Sequence, residues 1–113
     1  SPATMPPDFL ESIAHIGMQQ PSGPSAVWGV ASKGVIFSLL MERAGKPVKT
    51  IIDINPAKQG KFIAATGLLV SSPAIAMQRL PSQSTIYVMN SNYMNEIKSM
   101  TQHSYTYIGI DHE

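Results

Sequence analysis

Apolar residues along this chain are grouped into short runs, and loops or helix-like patterns lie between the runs. From residue 8 to residue 19 they recur at helical spacing, which predicts an amphipathic helix that ends at the Pro/Gly-containing segment 20–24. Beyond that segment the pattern predicts five strands. They span residues 26–29, 48–54, 68–70, 86–89 and 105–110. The run in strand two is nearly continuous, which is typical of strands covered by helices on both faces.

Three further helices are predicted between these strands. One spans residues 93–101 behind a capping turn at 90–92, and another begins with Ser72 as its cap and Pro73 at its first position. The helix after strand one ends at Gly45 and carries four apolar residues on one side: Ile36, Leu39, Leu40 and Ala44. The alternation predicts an α/β fold: a single Rossmann-like domain, three-layer α/β/α, with a five-stranded parallel sheet most simply in the order 3-2-1-4-5.

Length and composition fit one module. The chain has 113 residues, of which we expect 1–7 to be a disordered tail or linker remnant and 8–113 to form the domain. Hydrophobic residues make up 43% and charged residues only 13%, so part of the surface is expected to face another domain or a second copy. A homo-oligomer is therefore one expectation.

Charge and residue usage exclude several classes of protein. A formal charge of +1 gives no basic field of the kind that nucleic acid requires. No apolar run approaches the roughly 18 residues of a membrane span, so we expect no membrane contact. The chain has no cysteine, which removes disulfides and cysteine-based zinc sites and is compatible with the cytoplasmic location that we expect.

The most informative stretch is the glycine-containing segment Gly29-Val30-Ala31-Ser32-Lys33-Gly34 that follows strand one. It has the spacing of the dinucleotide-binding fingerprint, with Ala31 in place of the middle glycine. A strand, a tight turn and a helix start direct backbone N–H groups and a helix dipole at one place, which favours a phosphate there. Asp53 lies at the carboxyl end of strand two, about where a ribose-binding acid is expected. The alternative is a tight turn in which Gly34 only allows close helix–sheet packing.

The predicted strand order reverses between strands one and four, which is where open parallel sheets bind ligands. The crevice there would be walled by segments 29–34 and 90–93, with Asp53 and the Asn55 loop above it. The candidate substrate-binding residues are Gly29, Ala31, Ser32, Lys33, Gly34, Asp53, Asn55, Asn90, Asn92 and Tyr93.

Several of these candidates have a second interpretation. Lys33 either offsets a bound anion or is simply solvated, and Asn92 is either a helix cap or a ligand contact. Tyr93 either stacks on a base or sugar ring or covers the core. Lys58 and Lys61 either extend a basic rim or are solvated loop residues.

Catalytic and metal-binding patterns are missing from the sequence. The three histidines are not at metal-ligand spacing, no serine lies in a nucleophile elbow, and the C-terminal Asp111-His112-Glu113 is interpreted as a solvated end. We therefore predict no catalytic and no metal-ligating residue, and interpret the domain as a binding module rather than an enzyme.

Three segments together resemble the C-terminal domain of sugar C-methyltransferases, over about residues 25–100. They are Gly29-Val30-Ala31-Ser32-Lys33-Gly34, Ile52-Asp53-Ile54-Asn55-Pro56-Ala57-Lys58-Gln59-Gly60-Lys61-Phe62 and Asn92-Tyr93-Met94-Asn95-Glu96-Ile97. The resemblance implies a Rossmann-like domain that helps to hold a nucleotide-linked deoxysugar and binds no cofactor itself. It also implies S-adenosylmethionine in a separate catalytic domain. Neither that domain nor the family's zinc-binding segment is found in this sequence, so the chain is either an excised C-terminal domain or a stand-alone relative.

Two main hypotheses follow. The first is an accessory domain that recognises a nucleotide-linked sugar for an S-adenosylmethionine-dependent sugar C-methyltransferase domain, in cis or in trans. The second is a non-catalytic interaction or dimerisation module, or a nucleotide-binding domain of another sugar-modifying transferase. An open basic crevice would favour the first, and a large exposed apolar patch with a blocked crevice would favour docking. An independent dehydrogenase is disfavoured because no second domain is found.

Overall fold

Five short parallel strands form the centre of the molecule. A computed structural model describes residues 11, 15, 16, 19 and 23–111. The strands are β1 (Ser25–Trp28), β2 (Thr50–Ile52), β3 (Val70–Ser71), β4 (Thr85–Val88) and β5 (Thr106–Gly109). Their order in the sheet is β3-β2-β1-β4-β5 and every pair is parallel, which confirms the predicted order and its reversal between β1 and β4.

Three helices connect these strands: α1 (Ser32–Arg43), α2 (Pro73–Arg79) and α3 (Met94–Met100), the last preceded by a 3-10 turn at Ser91–Tyr93. The predicted tail, 1–7, lies outside the described residues, as does most of the predicted helix 8–19. The four described residues of that helix are helical, and Ile16 packs against the core. Within the described part of the chain, no helix has both the length and the apolar character that crossing a membrane needs.

Each face of the sheet has its own hydrophobic core, which confirms the three-layer arrangement. One core contains side chains of α1 and the other contains side chains of α2 and α3. The first comprises Val27, Phe37, Met41, Val48, Ile51, Tyr87, Met89 and Ile110. The second comprises Ala26, Trp28, Ile52, Ala76, Leu80, Ile86, Val88 and Ile97. Alternate residues of β1 and β4 belong to opposite cores, because successive side chains of a strand point to opposite faces.

The buried face of α1 differs from the prediction. Gly34, Phe37, Ser38 and Met41 are the buried residues, whereas Ile36, Leu39 and Leu40 are half-buried and Ala44 is exposed. Glycine at position 34 lets the helix approach the end of β1, and the Ser38 hydroxyl is buried because it donates to the Gly34 carbonyl at 2.7 Å. Because Ser38 can be buried with its hydroxyl hydrogen-bonded, the buried side of α1 is rotated away from its most apolar side.

The connection between β2 and β3 folds back as a small hairpin that the sequence did not predict. Phe62 forms an antiparallel bridge with Leu69, the Gly60 N–H donates to the Val70 carbonyl at 2.8 Å, and the Val70 N–H donates to the Lys61 carbonyl at 2.9 Å. This hairpin covers the outer edge of β3. The predicted strand 68–70 is therefore displaced: Leu69 pairs with Phe62, and β3 itself is limited to Val70–Ser71.

Candidate functional site

The turn between β1 and α1 requires glycine at both ends. Gly29 has a φ of +115°, a conformation that side-chain-bearing residues rarely adopt, and its N–H donates to the Ile52 carbonyl at 2.8 Å. A Cβ atom at Gly34 would lie 2.0 Å from the Gly29 carbonyl oxygen. Both glycines of the predicted segment are thus explained by backbone geometry alone.

The amino end of α1 is open. Its N-cap residue is Ala31, which has extended backbone angles and no side-chain cap, and the first turn contains no acidic residue. The first helical hydrogen bond runs from the Val35 N–H to the Ala31 carbonyl at 3.2 Å. Among the described residues, the N–H groups of Ser32 and Gly34 have no hydrogen-bond acceptor. These are the groups that an anion at a helix amino end uses.

A cavity of about 530 Å³ lies in front of this helix end, between the carboxyl ends of β1 and β4. We call it the turn cavity. It contains all five predicted residues of segment 29–34 together with Asn90, so the fold brings these candidates together. Its lining is Gly29, Ala31, Ser32, Lys33, Gly34, Met89, Asn90 and Asp111.

Two residues of this described lining, Met89 and Asp111, were not among the predicted candidates, and Asp111 is the polar one. Its carboxylate accepts the Ser91 backbone N–H at 3.0 and 3.2 Å and the Ser91 hydroxyl at 3.2 Å, so it ties the end of β5 to the segment after β4. Asp111 is exposed, as expected of a solvated end, but its carboxylate is hydrogen-bonded; His112 and Glu113 lie outside the described residues. The signal in the sequence that could have indicated Asp111 is its position just after β5, the strand that neighbours β4.

A second cavity of about 300 Å³ opens on the other side of Gly29, which lines both. We call it the Tyr93 cavity. Three of its residues are apolar or aromatic and exposed: Ile54 at 59%, Tyr93 at 56% and Met100 at 41%. Its lining is Trp28, Gly29, Asp53, Ile54, Tyr93, Glu96, Ile97 and Met100. Tyr93 is not among the described side chains packed against either core.

Asp53 lines the Tyr93 cavity and is also hydrogen-bonded to the turn between β1 and α1. Its Oδ2 atom accepts the Val30 N–H at 3.1 Å and its Oδ1 atom accepts the Asn55 N–H at 2.8 Å. The side chain of Gln59 donates to the Asp53 carbonyl at 2.8 Å. A carboxylate has about four acceptor positions, so the Asp53 carboxylate retains acceptor capacity for a ligand hydroxyl after these two bonds.

Two of the predicted contact residues line neither cavity. The Asn55 side chain accepts the Ala57 N–H at 3.0 Å within its own turn. Asn92 is exposed, and its N–H donates to the Asn90 side chain at 3.0 Å. Asn90, rather than Asn92, is therefore the capping residue, because it is Asn90 that directly precedes the 3-10 turn.

The described lining of the two cavities is more acidic than the sequence suggested. It contains one cation, Lys33, and three carboxylates, from Asp53, Glu96 and Asp111. Lys58 and Lys61 are exposed and line neither cavity. The crevice is open but not basic. It therefore matches in full neither the open basic crevice expected for nucleotide-sugar binding nor the blocked crevice with a large apolar patch expected for docking.

Hydrogen-bonding capacity rather than charge characterises this site. Carboxylates accept hydroxyl hydrogens, the helix end donates N–H groups, and the Tyr93 cavity supplies an apolar wall.

No group of three possible metal ligands occurs among residues 23–111 or the four earlier described positions. The chain matches no model of a known protein family and no curated protein. The family resemblance accordingly rests on the three sequence segments.

Proposed function

We propose that this domain recognises a nucleotide-linked sugar in the crevice formed by the turn cavity and the Tyr93 cavity. On this proposal it is the accessory domain of an S-adenosylmethionine-dependent sugar C-methyltransferase. The methyl donor binds to a separate catalytic domain, in cis or in trans. This assignment unites the site's chemistry with the resemblance of three segments of the chain to that family.

The observation that carries the proposal is that two chemically different cavities meet at Gly29. One has an open helix end and Lys33, which suit a phosphate, and the other has Trp28 and Tyr93, which suit a base or a sugar ring. A nucleotide-linked sugar has a phosphate group between two rings. The order of its chemical groups matches the two cavities better than that of a ligand with only a ring or only a phosphate.

The carboxylates are compatible with such a ligand because its rings are rich in hydroxyl groups. Asp53 and Glu96 line the Tyr93 cavity, where they would accept ribose hydroxyls. Asp111 and Asn90 line the turn cavity, where they would contact the sugar. A ligand consisting of phosphate groups alone would lack these hydroxyl donors and would be repelled by the carboxylates.

An NMR titration of the chain with nucleotides, nucleotide-linked sugars, NAD and S-adenosylmethionine tests the proposal. We expect amide shifts at Ser32, Gly34 and Asp53, largest with a nucleotide-linked sugar. A Lys33→Ala variant should bind about tenfold more weakly, because one charge-assisted contact is lost. The matched control is Lys58→Ala, which removes an exposed lysine outside both cavities and should leave affinity unchanged.

Absence of shifts at millimolar ligand, or equal affinities of the Lys33→Ala and Lys58→Ala variants, would contradict the proposed site. Preference for a free nucleotide over its sugar conjugates would instead favour a nucleotide-binding domain of another sugar-modifying transferase. Asp53→Ala is a poor test of binding, since it also removes the acceptor for two backbone N–H groups.

A second candidate function is docking onto a neighbouring domain or a second copy of the chain. The observation that favours it is the exposure of Ile54, Tyr93 and Met100 around one cavity, because exposed apolar side chains that cluster mark interaction sites. Sedimentation equilibrium of the wild type and of a Tyr93→Ser variant tests self-association. A dimer that weakens in the variant would support docking, and a monomer at all concentrations would rule out the homo-oligomer.

A further inference from the structure

A third cavity, of about 400 Å³, lies at the opposite end of the sheet from the crevice. We call it the basal cavity. Its walls come from residues just before β1, at the start of β2, before β4 and at the carboxyl end of α2. The lining is Pro24, Lys49, Thr50, Leu69, Ser71, Ala76, Arg79, Leu80 and Pro81. Open α/β sheets bind their main ligands at the carboxyl ends of the strands, so a ligand here would be a second one.

The two hydroxyl groups of the basal cavity have no hydrogen available for a ligand. Thr50 and Ser71 are buried, and their hydroxyl oxygens are 2.7 Å apart. The other near neighbours of the Thr50 hydroxyl are the carbonyls of Leu69 at 2.7 Å and Ile51 at 3.4 Å, which can only accept. The Thr50 hydrogen therefore points to a carbonyl, and the Ser71 hydrogen points to Thr50. Since neither hydroxyl can donate further, the buried part of the cavity does not suit an anion.

The cations of the basal cavity are exposed, in contrast to its hydroxyls. Lys49 and Arg79 are both exposed, and neither forms an ion pair with a described residue. The part of the lining that the structure describes contains no aspartate or glutamate. Within the described lining, two positive side chains without a carboxylate therefore border a cavity whose other walls are apolar, apart from the paired hydroxyls of Thr50 and Ser71. The apolar walls come from Pro24, Leu69, Ala76, Leu80 and Pro81.

We propose that the basal cavity binds a small amphipathic acid. Its hydrocarbon or aromatic body lies against the proline, leucine and alanine side chains, and its carboxylate or phosphate group contacts Lys49 and Arg79. Arginine pairs with both kinds of anion through two parallel hydrogen bonds, and a volume of about 400 Å³ is within the range of small-molecule sites. Burial of the apolar body supplies most of the affinity and the two cations select for the acid.

NMR titrations of the full chain with hexanoate, hexyl phosphate and hexanol test this proposal. These probes share one hydrocarbon chain and differ in the head group. We expect saturable shifts of the Thr50, Ser71 and Ala76 amides with at least one acid, with a dissociation constant on the order of a millimolar. Hexanol should bind about tenfold more weakly. The tighter of the two acids identifies the anion.

A double variant, Lys49→Gln with Arg79→Gln, should weaken acid binding about tenfold and leave hexanol binding unchanged. The control, Lys58→Gln with Arg43→Gln, removes the same charge at exposed positions outside the cavities and should bind like the wild type. Failure of both acids to shift these amides, equal binding of hexanol and the acids, or equal effects of the two double variants would overturn the proposal. None of these results depends on binding at the turn cavity or the Tyr93 cavity.

Discussion

Replacement of Ala31 by serine tests whether the amino end of α1 is open. Ala31 is the N-cap residue, with φ −65° and ψ 175°, and its side chain cannot accept a hydrogen bond. Ser72 caps α2 from almost the same backbone conformation, φ −67° and ψ 158°, and its hydroxyl accepts the Ile75 N–H at 3.2 Å. By analogy, a serine hydroxyl at position 31 should accept the N–H of Gly34, which likewise lies three residues after its cap.

The expected gain in stability follows from that one hydrogen bond. A serine N-cap is typically worth about 1 kcal/mol relative to alanine, within a range of roughly 0.5–2 kcal/mol. For a domain of this size, 1 kcal/mol corresponds to a rise in Tm of about 4 °C. Position 31 is exposed, so the added hydroxyl does not displace a packed side chain.

Urea unfolding and thermal melting of the wild type and the Ala31→Ser variant measure this difference in the free energy of unfolding. Ala65→Ser is the matched control, because it adds the same hydroxyl at an exposed loop position that precedes no helix. If Ala31→Ser and Ala65→Ser have the same small effect, the first N–H groups of α1 are already satisfied and the reasoning is refuted.

Ala31→Ser also tests the proposed ligand site, because the new hydroxyl would compete for an N–H that a phosphate needs. We expect the variant to be more stable and yet to bind a nucleotide-linked sugar about fivefold to tenfold more weakly. Increased stability with unchanged affinity would show that the ligand does not use the amino end of α1. Opposite changes in stability and affinity are not expected from a merely structural turn.

Other consequences of the structure are testable by unfolding experiments. Gly34→Ala should cost at least about 3 kcal/mol, since its Cβ would overlap the Gly29 carbonyl oxygen, whereas Gly45→Ala, at φ +78° and in open space, should cost only about 1–2 kcal/mol; similar losses in urea denaturation would contradict the clash. Ser72→Ala should lower the unfolding free energy by about 1 kcal/mol through loss of the α2 cap, and an unchanged urea midpoint would argue against that cap. Burial raises the pKa of the Tyr87 hydroxyl above its ordinary value of 10.0, so the folded state favours the neutral form. The stability difference between wild type and Tyr87→Phe should stay constant below about pH 10 and then shift against the wild type as the unfolded tyrosine ionises; a flat difference up to about pH 11 would contradict this.

The sequence predicted those features of the fold that depend on local pattern. Alternating strands and helices, all-parallel pairing and the reversal of strand order between β1 and β4 follow from short buried runs and right-handed connections. The start of α2 at Ser72 and Pro73 was equally predictable, because the cap and the proline act within one turn. Placement of segment 29–34 opposite Asn90 then follows from the topology.

Features that depend on contacts between distant residues were not predictable in this way. Asp53 and Val30 are 23 positions apart, and Asp111 and Ser91 are 20 apart. No periodicity in either segment indicates these bonds, since each consists of one carboxylate and one backbone N–H. The hairpin at Phe62 and Leu69 was missed for the same reason, because its antiparallel bridge follows from the path of a polar connection rather than from an apolar run.

The residues of the crevice differ in how strongly they indicate a bound ligand. Gly29, Gly34 and Asp53 each have a role in the backbone of the turn that accounts for them without any ligand. Ala31 does not, because a helix end without a side-chain cap lowers stability by some tenths of a kcal/mol or more. Departures from local preference are most often found where function requires them. The case for an anion at α1 therefore depends on the uncapped position of Ala31 rather than on the glycine spacing, and the Ala31→Ser variant tests it directly.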